Sequence, residues 1–402
     1  MVRQPTVTHV PAGCRRVELV VILGLLTAFA PLSIDMYLPA FPTLTTALET
    51  DGTTVQLSLA SFFIAFAAGQ VLFGPLSDRF GRRAPLFGSL LLYAVASIGC
   101  ALAQSIEALI VLRLLQGFGA CAGGVISRAV VRDLFERDEA ARIFSALILV
   151  MGAAPIFAPL LGGKLLIWAD WRAIFWFLSG VGLVCLAAVI WRMPETQKVE
   201  HIQSLQPGRI VRTYVRLLCD VRFVAYALIG ALSLGGLFAY VAGSPFVFID
   251  LFGLAPDDYA VLFGLSALGF VTAAQFNGRL IPRFGPARLL SAGTTVYVLG
   301  SAVLVLVTTT GWGGVPGFVV PVVVAISALG LMLPNTSAMA LAHFPQVAGS
   351  ASALLGCLQF TFAAIATVLM GAIQAESAVP VASMIAGGAV LAAAVRWGVA
   401  KE

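Results

Sequence analysis

Long runs without a single charged side chain restrict this chain more than any other feature. Gly52 to Ser77, Ala84 to Ile106, Ile143 to Gly163, Ala173 to Trp191 and Phe223 to Ile249 contain no Asp, Glu, Lys or Arg. A helix that rises 1.5 Å per residue crosses a hydrocarbon core of about 30 Å in about 20 residues, so each run is long enough to span a bilayer. The pattern continues with Tyr259 to Gly278, a double-length block from Leu289 to Ala342 broken near Gly311 to Pro316, Phe344 to Ala375, and Ser377 to Val395. Two further spans, near Val17 to Phe41 and Ala108 to Ser127, each hold a charge, and the total is twelve. Composition excludes the soluble alternative: 60% of residues are hydrophobic and 11% charged, more apolar surface than a soluble fold can bury.

Arg3, Arg15 and Arg16 precede the first span as they would in a signal peptide, but the apolar stretch is too long and lacks a small-residue cleavage site behind it. It reads as a retained helix. The net charge of +5 comes from basic residues dispersed among connecting loops, which argues against nucleic acid and for topology. With the N-terminus inside, the cytoplasmic segments hold Arg79, Arg82 and Arg83; Arg128, Arg132, Arg137 and Arg142; Arg192 through Arg222; and Arg279, Arg283 and Arg288. Lys164 and Arg172 fall outside and Arg113 within a span, so all but three of the 24 Lys and Arg residues are inside. The positive-inside rule then expects an inner-membrane protein with both termini cytoplasmic.

The polar, basic stretch near Met193 to Asp220 follows the sixth span. We therefore expect an all-α integral membrane protein: a six-helix half over residues 1–192, a cytoplasmic linker over 193–220, and a second six-helix half over 221–402. A short repeat supports the division. GPLSDRFG, Gly74 to Gly81, recurs as GRLIPRFG, Gly278 to Gly285, each copy closing the second helix of its half.

Cys14, Cys100, Cys121, Cys185, Cys219 and Cys357 show neither metal nor disulfide spacing and read as apolar packing residues. No phosphate-binding loop, ligand cluster or nucleophile with a base is present, and His9, His201 and His343 lie outside spans or at their edges. The expectation is a transporter without cofactor or metal rather than an enzyme, working as a monomer with protons, a small molecule and the lipid bilayer as its partners.

Four motifs carry chemistry. In GPLSDRFGRRAP, Gly74 and Gly81 allow close approach and tight turning, and Asp78 sits among Arg79, Arg82 and Arg83. In LRLLQGFGA, Arg113 lies at lipid depth, where an ionisable side chain is costly and marks function. APLSIDMYLPAFP carries Asp35 as its one charged residue, and helix rise puts Asp35 and Arg113 each about 9 Å from an outer helix end, which predicts that they pair. In GAAPIFAPLLGGKL, Pro155 and Pro159 weaken backbone hydrogen bonding, while Ala154, Ala158, Gly162 and Gly163 permit close packing.

Together with WRAIFWFL, GSPFVFI, LPNTSAMA and AGSASALLG, these segments resemble the bicyclomycin-resistance branch of drug:proton antiporters, Bcr/CflA, within the major facilitator superfamily, from about Val17 to Trp397. The resemblance implies proton-coupled export of small drug-like molecules such as bicyclomycin, amphenicols or sulfonamides, with carriage of a metabolite such as cysteine as the alternative. It implies a charge latch at Asp78 and Arg82, a fourth-helix motif at Arg113, Gln116 and Gly117, and an antiporter motif at Pro155, Pro159, Gly162 and Gly163, where Ala154 and Ala158 replace the usual Gly. Asp35 and Arg113 are the expected proton-coupling pair. Candidate cavity residues are Gln116, Phe62, Phe66, Tyr240, Phe246, Asn277, Asn335, Gln359 and Phe362.

Overall fold

The computed structural model describes residues 14–135, 137–196, 207–373 and 377–399. His9, Arg3 and His201 lie outside these residues, as does the middle of the expected linker. The elements are α1 (Cys14–Asp35), α2 (Phe41–Ala47), α3 (Gly52–Phe80), α4 (Arg83–Leu102), α5 (Ile106–Leu134), α6 (Arg137–Trp168) and α7 (Arg172–Arg192), then α8 (Pro207–Cys219). They continue with α9 (Val221–Pro245), α10 (Pro256–Phe284), α11 (Pro286–Thr310), α12 (Gly314–Ala342), α13 (Ala348–Ala372) and α14 (Val379–Gly398). Among the described residues, 12 stretches are long and apolar enough to cross a membrane. All twelve match the apolar runs of the sequence, the first of which holds Glu18 as well as Asp35.

Local chemistry sets the ends. Asp51 and Ser105 accept the Thr54 and Ala108 backbone N–H groups and cap α3 and α5, satisfying donors that a helix start leaves open. The exposed hydrogen bond from Thr54 holds the Asp51 carboxyl below its ordinary range. The long apolar block breaks where expected: α11 ends at Gly311 with φ 67°, and Gly313 enters α12 at φ 82°. Helices also run beyond the charge-free limits. α5 continues to Leu134, so Arg128 and Arg132 stand on a spanning helix rather than in a loop. The first span is interrupted: α1 stops at Asp35, a 3-10 turn covers Leu38–Ala40, and α2 follows.

The spanning helices of the first half pack among themselves through α3 with α5, α4 with α5 and α7, and α1 with α6, and those of the second half do so through α11 with α12, α9 with α13 and α14, and α10 with α12. The halves meet along α3 with α13 and α6 with α10. We call the end where α3 begins the far end, and the end with Gly74 to Gly81 the loop end. Polar contacts pin the halves together at the far end: Thr53 donates to the Gly371 carbonyl at 2.6 Å, Gln56 to Ala242 at 3.4 Å, and Lys164 pairs with Asp257 at 2.9 Å. Toward the loop end, a methyl group added at Gly74, Gly124 or Gly278 would meet no atom within 4 Å.

Candidate functional site

Arg113 organises the middle of the first half. Its guanidinium is wholly buried, donates to the Ser33 carbonyl at 3.0 Å and to Gln116 Oε1 at 2.6 Å, and Gln116 in turn donates to Ser97 at 2.8 Å. The i, i+3 spacing on α5 puts Gln116 beside Arg113. Aromatic rings take the remaining faces: the Tyr37 and Phe62 ring centres lie 4.6 and 4.5 Å from the guanidinium carbon, and Phe175 5.9 Å. Nε and Nη2 have no acceptor among the described residues. A buried cation held by rings, a carbonyl and an amide oxygen, without a carboxylate, is costly to maintain.

Asp35 is buried too, but it does not pair with Arg113. Ser33, two residues earlier on α1, turns its hydroxyl to Tyr93 of α4 at 2.8 Å, and side chains two residues apart on a helix point about 200° apart. Depth alone matched the charges; azimuth separates them. Asp35 instead ends α1, just before the 3-10 turn Leu38–Ala40, which touches α9 and α10 of the second half, and no cation bonds its carboxyl among the described residues. Tyr259 shares a hydrogen bond with Ser244 at 3.2 Å.

The loop motif forms a compact charge cluster. Arg82 donates through Nη1 to Asp78 at 2.5 Å and to Ser77 at 2.9 Å, and through Nε to Asp133 at 2.9 Å. Burial works against the Arg82 charge, but the hydrogen bonds to Asp133 and Asp78 outweigh it and hold the guanidinium above its ordinary value. Glu195, after α7, accepts the backbone N–H groups of Arg82 at 2.8 Å and Arg83 at 3.1 Å, and Thr196 donates to Asp133 at 3.1 Å. Arg83 also donates to the Ile190 carbonyl. Asp78 and Arg82 come together as expected, whereas Asp133 and Glu195 were not singled out; each is the carboxylate nearest to a helix end, and that position was the available signal. Gly81 has φ 85°, and a Cβ there would lie 2.5 Å from Glu195. Gly74 is different. It faces open space, so close approach is not its role in this arrangement.

α6 packs closely through its small residues. A Cβ on Gly162 would strike the Met36 carbonyl directly after Asp35, and one on Gly163 would lie 3.6 Å from Asp257. Ala154 and Ala158 are buried, and Pro155 and Pro159 sit inside α6.

The aromatic candidates divide. Phe66 meets Phe360 of α13 at 4.4 Å, and Phe63 meets Phe238 of α9 at 4.4 Å, so Phe63, Phe238 and Phe360, none of them anticipated, complete the ring cluster between halves. Phe362 turns away toward Gly235 of its own half. Tyr240 stacks on Phe263 at 5.6 Å and bonds Ser266 at 3.1 Å. Phe246 begins a π-helical turn, half-buried Gln359 lies against Gly230, and Asn335 donates to Asn277 at 2.7 Å, a clamp within the second half. Arg128 is exposed on α5, seven residues beyond Cys121 on the same face, and bonds no described residue. A separate apolar cleft of about 360 Å³ lies among α3, α4 and α5 and includes Phe73, Pro85 and Phe118. None of the expected site residues lines it.

Asp35 is buried near the contact between the halves, Arg113 is caged by rings, and the loop end carries a charge cluster. The Major Facilitator Superfamily profile matches residues 23–368. The chain belongs to that superfamily. It is 36% identical over 98% of both chains to an uncharacterised transporter of Bacillus subtilis. It is 35% identical to a chloramphenicol resistance protein of Pseudomonas aeruginosa, over 90% of this chain and 86% of that one. It is 31% identical to a bicyclomycin resistance protein homolog of Haemophilus influenzae, over 89% and 90%. These relatives place it in the Bcr/CflA branch. A solved D-xylose-proton symporter shares the fold with a TM-score of 0.78 at 16% identity, over 96% of this chain and 98% of that one.

Proposed function

We propose that this superfamily member exports small drug-like molecules across a bacterial inner membrane in exchange for protons, working as a monomer with both termini cytoplasmic. Bicyclomycin, amphenicols and sulfonamides are the substrate classes to test. Residues 1–192 and 221–402 are the two rocking bodies, and 193–220 their connection. The observation that carries the proton assignment is Asp35: a buried carboxyl at the end of α1, beside the turn that touches the second half, bonded to no cation among the described residues, and next to Met36, whose carbonyl Gly162 of the antiporter segment approaches. A group in that position can take up or release a proton as the halves separate and rejoin, because its exposure to water changes with their contact. Export is supported by the named resistance relatives and by the Pro155, Pro159, Gly162 and Gly163 helix. The substrate would rest on the Phe63, Phe66, Phe238 and Phe360 rings, reached from the loop end past Gly124 and Arg128.

Two measurements test the reading. A pump-deficient host expressing the chain should gain resistance to at least one of those compounds, and no gain with any of them would favour a metabolite carrier. In proteoliposomes, Asp35→Asn should abolish substrate accumulation driven by a pH gradient while retaining binding. Uphill export by Asp35→Asn would remove Asp35 from the proton path.

A further inference from the structure

We infer that α8, the helix between the two halves, docks on the bilayer surface and recognises anionic phospholipid. At 100° per residue, Val211, Val215 and Leu218 fall within about 60° of one another, and all three are exposed, at 60%, 52% and 49%. On one flank of this stripe stand Arg212 and Arg216, exposed and bonded to no described residue. On the other flank, Leu217 is buried and Tyr214 is half-buried, where α8 packs against α9 and α13. Among the described residues, protein contact therefore covers only one side of the apolar arc and leaves three aliphatic side chains without a cover.

The level of the helix identifies what covers them. Tyr214 donates to the Val71 carbonyl at 3.4 Å, and Val71 lies about 28 Å along α3 from Gly52 at 1.5 Å per residue. That is roughly one hydrocarbon thickness. α8 thus sits where acyl chains give way to headgroups, with its stripe able to enter the boundary and two guanidinium groups beside it at phosphate level. An apolar stripe flanked by Arg is the pattern of an interfacial helix, and each Arg near an anionic surface favours binding by about fivefold. Since α8 touches α13 of one half and α3 of the other, the lipid surface becomes a third body at the loop end.

The test uses the full-length chain with Cys14→Ser, Cys219→Ser, Cys357→Ser and Val215→Cys, which leaves only buried native cysteines, labelled at residue 215 with an environment-sensitive fluorophore and reconstituted in vesicles. In vesicles containing phosphatidylglycerol the emission should shift to the blue and be quenched by lipids brominated near the headgroup. Phosphatidylcholine alone should weaken both effects. Arg212→Gln with Arg216→Gln should reproduce that weakening in the anionic vesicles, and Arg212→Lys with Arg216→Lys should restore the signal. A water-exposed probe in both vesicle types would overturn the proposal, and equal lipid quenching in both would overturn the anionic recognition. Burial that follows the protein-to-lipid ratio instead of lipid charge would assign the face to a second copy and overturn the proposal as well.

Discussion

The two copies of the loop repeat have the same turn and different contents. Gly81 closes the first with φ 85° and ψ 169°, and Gly285 the second with φ 75° and ψ 159°, a backbone region essentially restricted to glycine. Around Gly81 stand Asp78, Arg82, Asp133 and Glu195. The corresponding positions of the second copy hold Pro282 and Pro286 in place of Asp78 and Arg82, and a Cβ on Gly285 would meet nothing within 4 Å. The turn is a property of the fold, needed to reverse the chain twice. Among the described residues, the side chains that Arg82 bonds, Ser77, Asp78 and Asp133, all lie in the first half.

The comparison can be broken most severely at the two glycines. Gly81→Ala should destabilise by about 3 kcal/mol or more, because moving Glu195 aside loses its bonds to the Arg82 and Arg83 N–H groups on top of the backbone strain. Gly285→Ala should show only the strain, about 1–3 kcal/mol. Thermal unfolding in detergent measures both, and equal losses would mean that Glu195 contributes nothing to the first turn. The next effect in size concerns the carboxylates. Asp133, less exposed than Asp78 and bonded by both Arg82 and Thr196, should couple more strongly to Arg82. In double-mutant cycles scored by transport rate at equal membrane abundance, the Asp133→Asn with Arg82→Gln coupling should exceed that of Asp78→Asn. The reverse order would make the i, i+4 pair the working latch. Smallest is Gly74→Ala. With open space before it, this substitution should leave unfolding within about 0.5 kcal/mol of the parent. A fall in transport rate without loss of stability would show that a neighbour reaches Gly74 in another state of the cycle, and Gly278→Ala is the matched control.

The spans were legible because charge is so costly in hydrocarbon that its absence writes each helix into the sequence directly. The Arg113 and Gln116 contact was legible for a different reason: it lies within one turn of one helix. Pairings across the fold were not. Glu195 is more than a hundred residues from the backbone groups it accepts, and Lys164 has no sequence mark pointing to Asp257. Phe360 was missed and Phe362 chosen because both are aromatic on α13, and only the rotation of that helix against α3 decides which ring crosses to the other half. Asp35 and Arg113 failed as a pair on the same ground, since rise fixes depth but not direction.

The bond from Arg113 to the Ser33 carbonyl gives those two charges another relation. Ser33 lies in the last turn of α1, where carbonyl groups have no partner further along the helix and the peptide dipoles leave partial negative charge. Arg113 supplies the cation that such a terminus lacks, across a tertiary contact instead of from the helix's own sequence. Asp35 is the final residue of that terminus. The guanidinium therefore holds the backbone of the turn that ends in Asp35 without touching the carboxylate itself.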